Sequence, residues 1–445
     1  MSKYSLSALV AAGLLAGGMS VSSASAADLG GNCCADLEER IAELEATTAR
    51  KGNRKVSLTV SGWVGQQATW WDDGAESKVY VNDLGTTLAS HVKFTGQAQI
   101  LPGWTAGYVL HLEAVGSDSL TMSQNNPDGQ SVLTGDHNGV GVLQSFWFIK
   151  SDQLGKVSVG KQSQASDNTA ILVDGSGSLV PANWVSFDYN GFFLRNRTTG
   201  ALTNMNWGTA GGGVWGDGNG APTNSVRYDS PSFGGFSVSA SWGESDFWDV
   251  AARYAGEWGD FKVAVAGAYS QSSADNVYSV NMIQPPATGY FQIGAYVEHV
   301  PTGLFAYGAY GHLDYFDVNN ALVDRANGLD SNDTYYVKGG IRQRWNALGH
   351  TVFYGEYMHA ENHNSFADNV TNADGDVVGF GNGANGNFVG TSAANLWGVG
   401  AVQEIDAAAM SLWIKYRNID ASTFGTGSFD ADEMHQVSVG ALINF

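Results

Sequence analysis

The sequence predicts an all-β protein, namely a closed transmembrane antiparallel β-barrel of about sixteen strands preceded by a short helix. Three observations support this class. Apolar and polar residues alternate with a period of two along most of the chain, as in strands with two different faces. Short and long connections alternate between those strands. Among the 445 residues, glycine (58) and aromatic residues (12%) are abundant, whereas charged residues (15%) and proline (8) are scarce.

Residues 1–26 have the pattern of a signal peptide. Lys3 supplies a positive charge, residues 6–17 are mostly apolar, and Ala24-Ser25-Ala26 fits the small-x-small cleavage site. We therefore expect export and a mature start at Ala27. No later stretch approaches the ~18 uninterrupted apolar residues of a transmembrane helix.

Residues 27–54 form a separate N-terminal segment, expected in the periplasm, that contains a short amphipathic helix. Leu37, Ile41 and Leu44 follow one another at spacings of four and three, which places them on one helical face. Such a short helix is marginal in water by itself. Two interpretations remain open, a coiled-coil seam in an oligomer and a solvated tether.

Residues 55–445 are predicted to form the barrel. In one strand Tyr335, Val337 and Ile341 alternate with Tyr336, Lys338 and Arg342. In another, Leu412 and Ile414 alternate with Trp413, Lys415 and Arg417, although which face meets lipid is not given by the period alone.

The lengths of the connections favour a membrane barrel over a soluble sandwich. Seven short turns are predicted at 101–104, 151–156, 230–235, 257–260, 300–303, 344–350 and 404–410. The intervening connections are longer, at 72–87, 116–140, 163–222, 271–289, 314–332, 361–394 and 420–432, with one short connection at 243–247. Short turns on one rim and long loops on the other are typical of outer-membrane barrels. Seven turns and eight loops give sixteen strands, with fourteen or eighteen as alternative counts.

A barrel of this size is expected to enclose an aqueous channel. The formal net charge of −21 argues against nucleic-acid binding. No nucleophile elbow or phosphate-binding loop is present, so we predict neither an enzyme nor a cofactor. His359, Glu361 and His363 lack the helical spacing of zinc hydrolases, and no metal site is predicted.

Several segments resemble the general porins of alphaproteobacteria. They are the helix segment 36–45 (DLEERIAELE), 51–62 (KGNRKVSLTVSG), 101–104 (LPGW), 154–162 (LGKVSVGKQ) and 227–236 (RYDSPSFGGF). The resemblance covers nearly the whole mature chain apart from the details of the long loops. It implies a homotrimer of sixteen-stranded barrels in the Gram-negative outer membrane. It also implies that the third loop, about 163–222, folds inward as a constriction.

The resemblance further implies that acids on this loop face bases on the barrel wall. The predicted loop residues are Asp167, Asp174 and Asp188, followed by Arg195 and Arg197. A charge pointing to lipid costs ~2–4 kcal/mol at the midplane, so bases in mid-strand are expected to face the lumen. The predicted wall residues are Lys93, Arg227, Lys338, Arg342, Lys415 and Arg417.

Phe445 ends a strand in which Val439, Ala441 and Ile443 alternate with polar or small residues. By resemblance, Phe445 with Ile443 is expected to be the signal read by the barrel-assembly machinery. The other partners expected are outer-membrane lipid and lipopolysaccharide. Ala27, followed by an acid, raises the hypothesis of attachment to peptidoglycan.

The predicted function is passive diffusion of small hydrophilic solutes and ions. Two alternatives remain. One is a substrate-selective outer-membrane channel for a sugar or an anion. The other, from a different class, is a secreted β-rich binding or adhesion protein, which would stay soluble without detergent.

Overall fold

The computed structural model describes residues 55–129, 139–211, 220–272, 287–316, 331–367, 369–371, 377–380 and 389–445. The predicted signal peptide, Ala27 and the predicted helix with Leu37, Ile41 and Leu44 lie outside the described residues.

The described residues are almost entirely strand, loop and turn. The strands are β1 (Thr59–Asp72), β2 (Ser77–Asn82), β3 (Ser90–Leu101), β4 (Trp104–Val115), β5 (Gly139–Ser151), β6 (Gly155–Gln162), β7 (Phe193–Arg195), β8 (Leu202–Asn206), β9 (Thr223–Asp229), β10 (Phe236–Gly243), β11 (Trp248–Trp258), β12 (Phe261–Ser272), β13 (Ala287–His299), β14 (Leu304–Phe316), β15 (Ser331–Gln343), β16 (Thr351–Ala367), β17 (Asn369–Thr371), β18 (Val377–Phe380), β19 (Val389–Ile405), β20 (Met410–Thr426) and β21 (Met434–Asn444). One α-helical turn, α1 (Trp207–Ala210), and two 3-10 turns (Glu244–Asp246 and Asp406–Ala408) complete the elements. None of the helices in the described part of the chain has the length and apolar character needed to cross a membrane.

Sixteen of these strands close into one antiparallel barrel, which confirms the predicted class and strand count. The ring closes where β1 pairs with β21, from Trp63 opposite Asn444 to Asp72 opposite His435. On its other edge, β1 pairs first with β3 and then, from Gln67 onward, with β2. β2 therefore extends the wall locally, while β7–β8 and β17–β18 form separate two-stranded sheets.

The two rims of the barrel differ as the connection lengths predicted. Seven connections, such as Gly103 between β3 and β4, are tight and lie at one end, here called the turn rim. The other connections meet at the opposite end, the loop rim. The longest of them joins β6 to β9, and its residues 163–211 are called the inner loop below.

The outer surface is apolar and exposed, and the inner surface carries buried charges. Val337, Ile414 and Val439 face outward and are 56%, 52% and 53% exposed. Their neighbours Lys338 and Lys415 face inward and are only 2% and 5% exposed. Because side chains alternate across a strand, one register places apolar groups toward lipid and charges in the lumen.

Part of the lumen is filled by an apolar core. Ile171, Trp184 and Phe192 of the inner loop belong to one buried cluster with Tyr336 and Trp413 of the wall. The inner face is therefore less uniformly polar than the alternation suggested, since aromatic wall residues are covered by the inner loop.

Candidate functional site

The first part of the inner loop is held to β10, β11 and β13 by neutral and charge-assisted hydrogen bonds. The Ser166 amide donates to Asp249 Oδ2 at 2.6 Å, and the Arg253 guanidinium donates to the Ala165 carbonyl at 2.6 Å. Gln292 donates to the Ser166 carbonyl and accepts from the Ala170 amide, both at 2.9 Å. These bonds tie the backbone of the inner loop to the wall at its point of entry.

The middle of the inner loop is held to β15 by a fully buried ion pair. Lys338 Nζ lies 2.5 Å from Asp174 Oδ2, and both side chains have no solvent exposure. The same ammonium donates to the Ala182 carbonyl at 2.8 Å. Lys338 thus joins two points of the inner loop that are eight residues apart in sequence.

A second ionic group lies on β16 and β20. Asp188 pairs with Lys415 and, at 3.4 Å, with Arg417. Arg417 also binds Glu356, with Nε 2.8 Å from Oε1 and Nη2 3.1 Å from Oε2. Gln67 completes the group by donating to Asp188 Oδ1 at 2.6 Å.

Together, the two ionic groups contain three cations and three carboxylates. The cations are Lys338, Lys415 and Arg417, and the carboxylates are Asp174, Asp188 and Glu356. Their formal charges cancel. Asp174 and Asp188 of the inner loop therefore contact wall bases directly, instead of facing them across a gap.

Four of the five remaining predicted bases have other carboxylate partners. Arg195 pairs with Asp73 at 2.9 Å, near the β1–β2 turn, and Arg197 lies 3.6 Å from Asp432. Arg227 pairs with Asp229 at 2.7 Å and donates to the carbonyls of Ser163 and Gln164. Arg342 binds Glu404 in a bidentate pair at 2.9 Å, while Lys93 forms no ion pair with a described residue.

Asp167 sits near the entry of the inner loop and differs from the other loop acids. Burial raises the pKa of the Asp167 carboxyl to about 6, and this effect is opposed by a hydrogen bond from Ser163 and by the Arg227 guanidinium. Near pH 6 the carboxyl is thus half ionised.

The sequence analysis missed Asp249, Arg253, Glu356 and Glu404. Each lies on a barrel strand and faces inward. Glu356 and Arg253 could have been found by assigning every charged residue of a strand to its inner face. Their partners could not, because those lie more than 60 residues away.

A cavity of about 570 Å³ lies between the inner loop and the turn rim. Ile171, Val173 and Phe187 line it from the loop, and Tyr296 and Trp413 from the wall. Lys262, Glu298, Arg342 and Glu404 add charge to the same lining. A solute that passes the inner loop on this side therefore meets both apolar and charged surface.

Within the described ranges, no three or more His, Cys, Asp or Glu residues are arranged to hold a metal ion. His359 and Glu361 face outward on β16, where His359 Nε2 lies 3.0 Å from Glu361 Oε1 and Nδ1 lies 2.7 Å from Asn395. The side chain of His363 lies outside the described residues.

A closed sixteen-stranded barrel with an exposed apolar outer surface and a loop bound inside its lumen is typical of outer-membrane channels. The sequence comparison agrees: the family described as Gram-negative porin matches residues 7–383. The chain belongs to the Gram-negative porin family, and it is an outer-membrane porin.

Solved structures share this fold at low sequence identity. The anion-selective porin from Comamonas acidovorans is 15% identical, with a TM-score of 0.53 over 88% of this chain and 100% of that one. A loop L8 deletion mutant of OmpT, an outer membrane protein of Vibrio cholerae, is 13% identical, with a TM-score of 0.51 and the same coverage. The trimer form of in-vitro folded Vibrio cholerae OmpT gives 14% identity and a TM-score of 0.50 over 88% and 99% of the two chains. No curated protein matches the sequence.

Proposed function

We propose that this porin is a general diffusion channel of the alphaproteobacterial type, with only a weak preference for the charge of the solute. One observation carries the proposal. Every charged residue in the ion pairs that hold the inner loop to the wall contacts a partner of opposite charge. The paired residues are Asp174, Asp188, Lys338, Lys415, Arg417 and Glu356. Paired charges produce a much weaker field in the lumen than separated ones.

The inner loop acts here as a fixed constriction. It is attached at its entry by Asp249 and Arg253, and further along by Lys338 and by Lys415 with Arg417. Because an inserted loop with several buried ion pairs is costly to displace, it limits solute size without opening and closing.

The assembly that we propose is a homotrimer, exported by the signal peptide 1–26 and inserted by the barrel-assembly machinery that reads Phe445 with Ile443. The trimer form described for Vibrio cholerae OmpT, which shares the fold, supports this assembly. Lipid and lipopolysaccharide would surround the exposed outer residues such as Val337 and Ile414.

Planar-bilayer recording in a salt gradient tests the channel and its selectivity together. The folded protein should produce conductance in groups of three equal steps, with a reversal potential close to zero. A large reversal potential of either sign would contradict the balanced constriction. Absence of any conductance from folded, heat-modifiable protein would contradict a diffusion channel.

A second candidate, a channel selective for solutes with an apolar part, is favoured by the lining of the cavity. Ile171, Val173, Phe187, Tyr296 and Trp413 would contact such a solute. Liposome swelling with sugars and with aromatic carboxylates of matched mass separates the candidates. Equal rates favour the general pore, and faster entry of the aromatic series favours selectivity.

Attachment of the mature N-terminus to peptidoglycan remains a hypothesis based on Ala27 and the acid that follows it. Muramidase digestion of purified sacculi should release a peptide that begins at Ala27 and carries a muropeptide. If every N-terminal peptide from sacculi is unmodified, the hypothesis is wrong.

A further inference from the structure

Three inward-facing basic side chains lie together on the inner wall at β3 and β4. Lys93 lies directly opposite His111 in the strand pairing, and the rings of His91 and His111 are 4.1 Å apart. Lys93, His91 and His111 are 7%, 6% and 4% exposed. These three residues are called the basic cluster below.

The basic cluster has no carboxylate partner among the described residues. Lys93 forms neither a hydrogen bond nor an ion pair there, and both ring nitrogens of His111 are buried without a partner. Glu113 lies opposite His91, but its two oxygens accept the amides of Thr87 (3.1 Å) and Ala89 (3.0 Å). The nearby acid therefore holds the backbone before β3 and forms no ion pair with Lys93.

The bases that hold the middle of the inner loop differ from the basic cluster in this respect. Lys338, Lys415 and Arg417 each contact a carboxylate. An ammonium that is only 7% exposed and has no counterion is unfavourable, and the two unpaired buried nitrogens of His111 add to the cost. A bound anion would reduce both penalties, since it accepts from the Lys93 ammonium and from one imidazole N–H.

We propose that Lys93, His111 and His91 bind a small inorganic anion of halide size on the inner wall of the channel. The available hydrogen-bond groups fit such a ligand. Lys93 has only donors, and neutral His111 can turn an N–H toward the anion in either tautomer. A cation would be repelled by the ammonium, and the tight burial of all three side chains disfavours larger organic anions.

The site is adjacent to the path of solutes. Trp63 packs on His91 with ring centroids 4.0 Å apart, and it also lines the cavity between the inner loop and the turn rim. Its indole donates to the Leu88 carbonyl at 3.1 Å, which fixes the ring between the cavity and the basic cluster. An anion at Lys93 therefore lies one side chain away from the cavity.

Anomalous diffraction from crystals of the full protein grown in bromide tests binding directly. An anomalous peak in contact with Lys93 Nζ and His111 is expected. It should vanish in Lys93→Met and persist in Lys150→Met, which removes an equal charge from an exposed position on β5. If the wild-type protein shows no peak at the basic cluster, or if Lys93→Met retains it, the proposal is overturned.

Should Lys93→Met fail to fold, as judged by heat-modifiable mobility, His111→Gln provides the second test. This variant keeps the ammonium but loses one imidazole, and bromide occupancy should fall at least several-fold. Unchanged occupancy would exclude His111 from the site.

Bilayer recording gives an independent measurement. Lys93→Met should shift the reversal potential toward cation preference, and Lys150→Met should shift it less. The bromide peak does not depend on transport. A channel that fails to conduct but binds bromide would contradict the proposed function alone, whereas a conducting channel without the peak would contradict the anion site alone.

Discussion

At the scale of single residues, the inner loop is held by a few buried carboxylates. Asp188 contacts both Lys415 and Arg417 and accepts from Gln67. Removing one member of a buried ionic group leaves the others uncompensated, which typically costs about 3–5 kcal/mol. By contrast, Arg344 and Asp406 at the turn rim are 2.5 Å apart but about half exposed, and water screens such pairs.

We expect Asp188→Asn to destabilise the folded protein strongly, because Lys415 would lose its only carboxylate partner among the described residues. Asp406→Asn is the matched control and should change the unfolding free energy by less than about 1 kcal/mol. The measurement is the temperature at which heat-modifiable mobility is lost. Equal effects of the two substitutions would show that the buried group does not stabilise the inner loop.

Asp167 provides a pH-dependent contribution to stability. Burial raises its pKa from 3.8 to about 6, so the folded protein retains a proton that the unfolded chain releases. The contribution is therefore present below about pH 4 and is lost as the pH rises through 6, by up to roughly 3 kcal/mol. Arg227, Arg253 and Asp249 are the charged groups that act on this carboxyl.

Asp167→Asn should remove the loss of stability that the Asp167 carboxyl causes as the pH rises from 4 to 6, because the amide does not titrate. Unfolding temperatures of the wild type and the variant, measured at intervals across this range, provide the comparison. Parallel curves for the two proteins would show that another group is responsible for the pH dependence.

At the scale of elements, small residues on the inner face allow the aromatic wall residues to pack. A Cβ atom on Gly440 of β21 would lie 2.3 Å from the Trp413 ring of β20. Contacts this short do not occur in folded proteins, so either the indole or the strand would have to move. Trp413 also lines the cavity, and its position therefore affects the lumen.

Gly440→Ala should destabilise the barrel by about 1–3 kcal/mol and alter single-channel conductance. Gly116→Ala is the control, because a Cβ atom there would meet nothing within 4 Å. Thermal unfolding and bilayer recording of both variants provide the test. A fully stable Gly440→Ala protein with normal conductance would mean that Trp413 moves without cost.

At the scale of the whole molecule, the barrel is closed by a long seam between β1 and β21. The pairing runs from Trp63 to Asp72, and Phe445 adds two backbone hydrogen bonds of 3.0 Å with Gly62. The Phe445 ring is 59% exposed. Most of the seam would therefore remain if Phe445 were removed.

Deletion of Phe445 should lower the yield of assembled protein in the outer membrane and leave the conductance of assembled pores unchanged. The reason is that the residue contributes little to the seam but is proposed to be read during assembly. Membrane fractionation and bilayer recording measure the two effects. A normal yield would contradict the recognition role, and altered conductance would show that Phe445 shapes the channel.

The sequence by itself determined the barrel, because each of its signals is local. Alternation along β15 and β20 assigned Lys338, Lys415 and Arg417 to the face opposite Val337 and Ile414, and the burial of these residues agrees. The lengths of the turns gave the strand count of the barrel. The alternation of apolar and polar residues and the length of a turn are properties of residues close together in sequence. They can therefore be recognised without knowing which distant residues are in contact.

Only the tertiary structure decided which charges meet. Asp188 and Lys415 are separated by 227 residues, and Asp174 and Lys338 by 164. Their pairing depends on how the inner loop crosses the lumen, which no local pattern specifies. The same holds for Lys93, which forms no ion pair with any residue that the structure describes: Glu113 is close in the pairing of β3 and β4, but its oxygens accept the backbone amides of Thr87 and Ala89. Burial and competition for hydrogen-bond partners are set by the whole fold, so the sequence named the charged residues and the structure determined their pairing.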